Sequence, residues 1–425
     1  MTKISPFKAV IYNQEKIKNL ARVVCPPYDI ISPERQQYYY ELDEYNFIRI
    51  LLTKETPQED KYRQAASIFK DWLRDEILIQ DKEPAFYFYS QQYQFKGEKR
   101  IRLGFIGLLH LDDENSSIFG HEHTRLEPKA DRLRLLKATK ANLSPIFVLF
   151  ADKKRIINNL YEKYIQDKHP FIELTDEEKI VHKLWKLTVP QILIDIQTKM
   201  KNESVFIADG HHRYEVALAY RNEMKKKLKC AITGEENFNY ILTYFTNLDA
   251  PGLTIMPIHR LVKLKEASDF ENLLGQIKEY FRMEEIKDKN KFFFLLHKGG
   301  ISEHLIGMYK DKKYWLLRLK NIKILDKLIP GKPKEFRALD VSILNYIILS
   351  EILGLDLEDR ERISFSPYPE ELIKSVDSNS LYIAFFLNPL KIKQIISVAL
   401  SGEKMPAKST YFYPKVLSGL VINKF

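Results

Sequence analysis

Two cysteines, Cys25 and Cys230, in 425 residues exclude a disulfide framework and a cysteine-rich zinc site, and they fit a reducing compartment. Cys25 lacks a local base, which makes it a packing residue rather than a nucleophile. Apolar runs are short. Ile146–Ala151 and Tyr382–Leu387 have strand length, and none approaches the roughly 18 residues of a membrane span. The first residues hold no apolar signal core, so the expectation is a cytoplasmic protein with no membrane partner. Glycine is scarce, 15 in all, and neither a Walker A lysine loop nor a kinase glycine-rich loop occurs. The net charge of +10, from 67 Lys+Arg against 57 Asp+Glu, is scattered in short lysine runs. Without a concentrated basic face or a helix-turn-helix pattern, the charge argues against nucleic acid and suits a small anionic substrate.

At 45% hydrophobic and 29% charged, the chain has a globular composition. Its length calls for two or three packing units. Helices are expected over 58–77, 128–141, 154–166, 190–201, 340–352 and 389–401. Strand patterns fall at Phe86–Tyr89, Ile101–Leu109, Ile146–Phe150, Tyr240–Phe245, Leu253–Ile258 and 382–387. Hairpins are expected at Lys96-Gly97-Glu98-Lys99 and around Lys310-Asp311-Lys312. Ser32 and Pro33 read as N-cap and first helical residue. The lysine-rich segment 283–291 reads as a lobe boundary, giving lobes 1–282 and 283–425. Mixed sheets with flanking helices make the fold class α+β.

The run Asp209-Gly210-His211-His212-Arg213 carries the most chemistry. It follows an apolar strand, Val205 to Ala208, and opens a helix. A helix start presents backbone N–H groups and partial positive charge, which suits a phosphate. Gly210 lets the backbone approach a ligand, Asp209 can cap the helix, and two imidazoles and a guanidinium add donors.

A second cluster is His121-Glu122-His123-Thr124-Arg125, with Lys129, Asp131 and Arg132 beyond it. In an extended segment His121 and His123 face one way and Glu122 the other. That layout serves a metal, a phosphate, or acid and base catalysis. The stiff loop Cys25-Pro26-Pro27-Tyr28-Asp29 presents a phenol and a carboxylate. Met405-Pro406-Ala407-Lys408-Ser409-Thr410 and Tyr413-Pro414-Lys415 offer lysines and hydroxyls that can close over a phosphate.

These segments together resemble the DUF1015 family of bacterial and archaeal proteins. The matches are Pro6 to Ala9, Val24 to Ser32, Asn46 to Arg49, His121 to Thr124, Lys129 to Arg132 and Asn142-Leu143-Ser144-Pro145-Ile146, followed by Ile207 to Glu215, Pro257-Ile258-His259-Arg260-Leu261 and Met405 to Lys415. His123 departs from the Arg or Lys expected in many relatives, which favours phosphate contact there over a metal. The Asp-Gly-His-His-Arg turn is similar to one in the ParB/sulfiredoxin-like fold, which includes free serine kinases.

The resemblance implies a ParB/sulfiredoxin-like core with a second C-terminal lobe. It also implies phosphoryl transfer from pyrophosphate, ADP or ATP to the hydroxyl of L-serine, giving O-phosphoserine. In that reading Gly210, His212, Arg213, His121, His123, Arg125, Lys129, Arg132, Lys408, Ser409, Thr410 and Lys415 hold phosphate, and Tyr28 and Ser144 hold substrate. Asp29, Glu122 or Asp209 takes the hydroxyl proton, His211 assists, and Asp209 is the candidate ligand for Mg²⁺ or another divalent cation. The alternatives are a metal-dependent phosphohydrolase and a nucleotide-binding, ParB-like regulator that associates with DNA. Nothing in the sequence sets an oligomeric state.

Overall fold

The computed structural model describes residues 1–55, 59–112, 117–122, 126–228, 233–266, 269–300, 302–359 and 361–425. His123, Thr124, Arg125 and Cys230 therefore lie outside the described residues. The fold is α+β, and the chain divides into two compact units. The first comprises Met1–Gly120, Thr124–Leu253 and Pro414–Phe425; the second comprises His121–His123 and Thr254–Tyr413. Among the described residues no helix is long and apolar enough to cross a membrane.

The first unit is built on a nine-stranded mixed sheet. Its main path runs Ile118–Gly120, Val205–Asp209, Ile146–Phe150, Tyr240–Asn247, Glu98–His110, Phe86–Phe95, Val181–Leu187 and Ile172–Thr175, with Ile4–Ser5 paired to Glu98–His110. The strand Ile146–Phe150 is buried at every position, as expected of a central strand covered on both faces. The hairpin turn at Lys96-Gly97 has positive φ at both residues, 51° and 82°, which matches the right-handed twist of the two long strands it joins. Ser32 caps the helix Pro33–Leu42, its hydroxyl accepting the Arg35 N–H at 3.3 Å. The helix expected from Pro128 begins at Leu126 and runs to Thr139, with Pro128 inside its first turn, where a missing N–H costs nothing.

The second unit carries a six-stranded antiparallel sheet in the order Phe281–Ile286, Lys313–Leu319, Leu305–Lys310, Tyr382–Phe386, His259–Lys263, Ile363–Ser366. Helices Lys289–Gly299 and Pro369–Ser378 pack on it through Phe292, Leu296, Leu372, Ile373 and Val376. The lysine-rich segment read as a boundary is thus an edge strand followed by a helix capped by Asp288. An edge strand is open to water, and Arg282, Glu284 and Glu285 are exposed on it, which makes it resemble a linker. The division differs from the expected 282/283 boundary in a second way. The last twelve residues return to the first unit, so Lys415 belongs there while Lys408, Ser409 and Thr410 belong to the second.

Candidate active site

The strand Val205–Asp209 ends where Gly210 turns the chain at φ +91°, and the helix His211–Leu228 starts at once. A Cβ at Gly210 would meet Ile146 Cγ2 at 2.9 Å and Arg213 Cζ at 3.0 Å. Both the φ and the close approach require glycine. The first intrahelical bond runs from the Tyr214 N–H to the Gly210 carbonyl at 3.0 Å. The N–H groups of His211, His212 and Arg213 precede it, where a helix offers no acceptor of its own.

Gly210 therefore occupies the cap position expected of Asp209. The Asp209 carboxylate goes elsewhere: Oδ1 accepts from Lys415 Nζ at 2.5 Å and Oδ2 from Arg213 Nη2 at 2.8 Å. Burial works to raise the Asp209 pKa, but the charges of Lys415 and Arg213 outweigh it, and the carboxyl is held well below the usual carboxylate range. A permanently ionised carboxylate is a poor proton acceptor, since a general base works best with a pKa near the working pH. Asp209 is thus a holder of cations.

The neighbouring segments are fixed by residues of the same family pattern. Arg213 Nη1 donates to the Pro145 carbonyl. Ser144 Oγ and Ser418 Oγ lie 2.6 Å apart, and Asn142 Oδ1 accepts from the Leu242 N–H and from Asn423 Nδ2, both at 3.1 Å. The Lys415 carbonyl accepts from Gln91 Nε2 at 2.8 Å, and Cys25 pairs with Ser418 through backbone bonds in both directions. The returning tail thereby anchors the Pro26-Pro27-Tyr28 loop and delivers Lys415 to Asp209. Tyr28, Arg132, Ser144 and Arg213 line a small cavity of about 60 Å³. The Arg132 guanidinium stacks on the Tyr28 ring at 4.5 Å, and its Nη1 donates to the Leu51 carbonyl at 2.8 Å.

The expected residues thus fall into three groups. Asp209, Gly210, His211, His212, Arg213, Lys415, Tyr28, Asp29, Ser144, Lys129 and Arg132 are in the first unit. Lys129 is paired with Glu215 at 3.0 Å and Arg132 with Asp131, so these two cations are neutralised locally. His211 is buried, and Gly120 leaves it room: a Cβ there would stand 3.5 Å from its ring. Gly120 pairs with Ile207 in parallel register, so the two strands finish at the same end of the sheet. Asp29 is exposed in the short turn Tyr28–Ile30. In the second unit, His121 is fully buried, with Nε2 3.5 Å from Thr410 Oγ1. Glu122 Oε1 there accepts the Lys408 N–H at 2.7 Å, and Ser409 Oγ donates to the Pro406 carbonyl at 2.5 Å. His123 and Arg125 are outside the described residues. Cys25 is buried, and burial pushes its thiol pKa up, as suits packing rather than nucleophilic attack.

For a divalent cation the fit is poor. Both Asp209 oxygens are occupied, and among the described residues no three His, Cys, Asp or Glu side chains form a ligand set. Sequence reasoning named Lys415 but not its pairing with Asp209, and it passed over Ser418. Neither the Lys415–Asp209 pairing nor the place of Ser418 leaves a sign in the local sequence.

The family model described as "Protein of unknown function (DUF1015)" matches residues 4–342, and the chain belongs to that family. No curated protein matches the chain. Among solved structures, SbnI with C-terminal truncation from Staphylococcus aureus is similar at 13% identity and a TM-score of 0.38, covering 74% of this chain and 86% of its own. A free serine kinase in complex with AMP is similar at 12% identity and a TM-score of 0.33, covering 72% and 86%. A mutant of free serine kinase in complex with ADP gives 11% and 0.36 over the same shares. At that level of likeness none of them decides this chain's chemistry, which rests on its own residues.

Proposed function

We propose that this DUF1015 protein is a small-molecule phosphotransferase that grips the donor phosphates at the start of the helix His211–Leu228. The observation that carries the reading is the Lys415–Asp209–Arg213 cluster set against the Gly210 turn. An anion at the helix start meets backbone N–H groups, the helix dipole and two cations whose positions are fixed in advance. Phosphoryl transfer needs such fixed charge more than it needs covalent chemistry.

The resemblance of the turn supports free L-serine as the acceptor and pyrophosphate, ADP or ATP as the donor. The serine oxygen attacks the terminal phosphorus, and the bridging P–O bond breaks. Phosphate, AMP or ADP leaves, according to the donor. Asp29 takes the hydroxyl proton, because Asp209 is committed to its two cations and Glu122 accepts the Lys408 N–H. Tyr28 and Ser144, which line the cavity beside Arg213, hold the acceptor.

The test is direct. Purified protein is incubated with L-serine and each donor in turn, and O-phosphoserine is measured. Product with one donor, lost in Lys415→Met, supports the reading. No product with any donor contradicts it.

A further inference from the structure

The family motif Pro257 to Leu261 places a fully buried arginine, Arg260, in the second unit, outside the proposed kinase site. Arg260 lies on the strand His259–Lys263, between Tyr382–Phe386 and Ile363–Ser366, and is 1% exposed. Its Nη1 donates to the Ile258 carbonyl, and the Phe365 ring lies 4.8 Å from the guanidinium carbon. Among the described residues its Nε and Nη2 have no hydrogen-bond partner. These two nitrogens share one edge of the planar fork. That edge matches two oxygens of a carboxylate or phosphate. Leaving two charged donors buried and unmet is costly, so a ligand is the natural partner.

Arg260 lines a cavity of about 150 Å³. Lys332, Lys404, Asn345, Tyr346 and Glu358 also line it, so three cations face one carboxylate. Lys332 is partly spent, since it pairs with Glu403 at 3.0 Å. Asn345 is 6% exposed, and its Oδ1 is a further buried atom with no partner among the described residues. Burial pushes the Arg260 pKa down and the Glu122 charge pushes it back up, while Glu122 itself accepts the Lys408 N–H. At ~30 Å³ per water the cavity holds about five waters, well below the size of a drug-like ligand.

We propose that this cavity binds a small organic anion, with its carboxylate or phosphate oxygens on the Nε–Nη2 edge of Arg260 and a donor group reaching Asn345 Oδ1. The site stands independently of the kinase reading. Its test is hydrogen exchange on the full chain, with inorganic phosphate in one arm and acetate in the other. Protection localised to residues 257–264 and 403–408 is the expected result. Phosphate alone, acetate alone, or both acting identifies which oxygen group the site accepts. Arg260→Met abolishes the protection. Ala407→Leu fills the cavity without altering any charge and abolishes it too, so the test holds even where Arg260→Met fails to fold. No protection in the unaltered protein, or protection that survives Ala407→Leu, overturns the proposal. Exchange around residues 209–214 reports the other site separately, so the two readings fail independently.

Discussion

Arg213, partly buried, and Arg260, fully buried, are guanidiniums in family motifs, one in each unit, and their surroundings differ. Arg213 donates to the Pro145 carbonyl and to Asp209, which Lys415 holds from the other side. Only its Nε lacks a partner among the described residues. Arg260 donates to one carbonyl and keeps a whole edge unmet. Desolvating a charge costs several kcal/mol, and a close counter-charge offsets it. The first cluster is therefore a preformed frame that stays charged whether or not a ligand is present. The second is incomplete without a ligand. Stability measurements and ligand measurements should accordingly divide between the two units.

The largest expected effect breaks the first cluster. Asp209→Ala leaves the largely buried Lys415 and Arg213 side chains without their carboxylate and should cost about 3–5 kcal/mol in urea unfolding. A loss below ~1 kcal/mol would place the pair among weak surface bridges instead. Next comes Lys415→Met, which keeps the chain length and removes the charge. It should lower kcat/KM for the donor by about 100-fold or more, as expected for loss of one fixed positive group at the transferring phosphate. Gly210→Ala follows. The left-handed turn and the 2.9 Å approach to Ile146 should together cost about 1–2 kcal/mol and weaken donor binding.

The smallest effect is a pH dependence. Because the folded Asp209 pKa is depressed, its stabilisation is fully present above the unfolded value of about 3.9 and is lost as pH falls below it. Urea midpoints taken from pH 6 to pH 3 should fall more steeply in the unaltered protein than in Asp209→Asn. Equal slopes would remove Asp209 from the account.

Local chemistry was legible in the sequence. Ser32 with Pro33, the Lys96-Gly97 turn and the Gly210 break each act within a few residues, and the structure places each element accordingly. What depends on distant pairing was not. Lys415 reaches Asp209 across 206 positions, and no spacing rule predicts that partner. The edge strand Phe281–Ile286 looks like a linker because Arg282, Glu284 and Glu285 on it are exposed and charged. Asp209 reads as a helix cap by position, yet the glycine after it turns the chain so that its carboxylate meets Lys415 instead. Arg260 stands in the family motif Pro257 to Leu261, but only the structure brings Asn345, Lys332 and Lys404 to it.

The most direct measurement is a crystal structure of the full chain soaked with ADP. Diphosphate oxygens are expected within hydrogen-bond reach of the backbone N–H groups of His211 to Arg213, with Lys415 Nζ on the same phosphate. Nucleotide bound away from residues 209–213, or an empty helix start at saturating ADP, would contradict the proposed function.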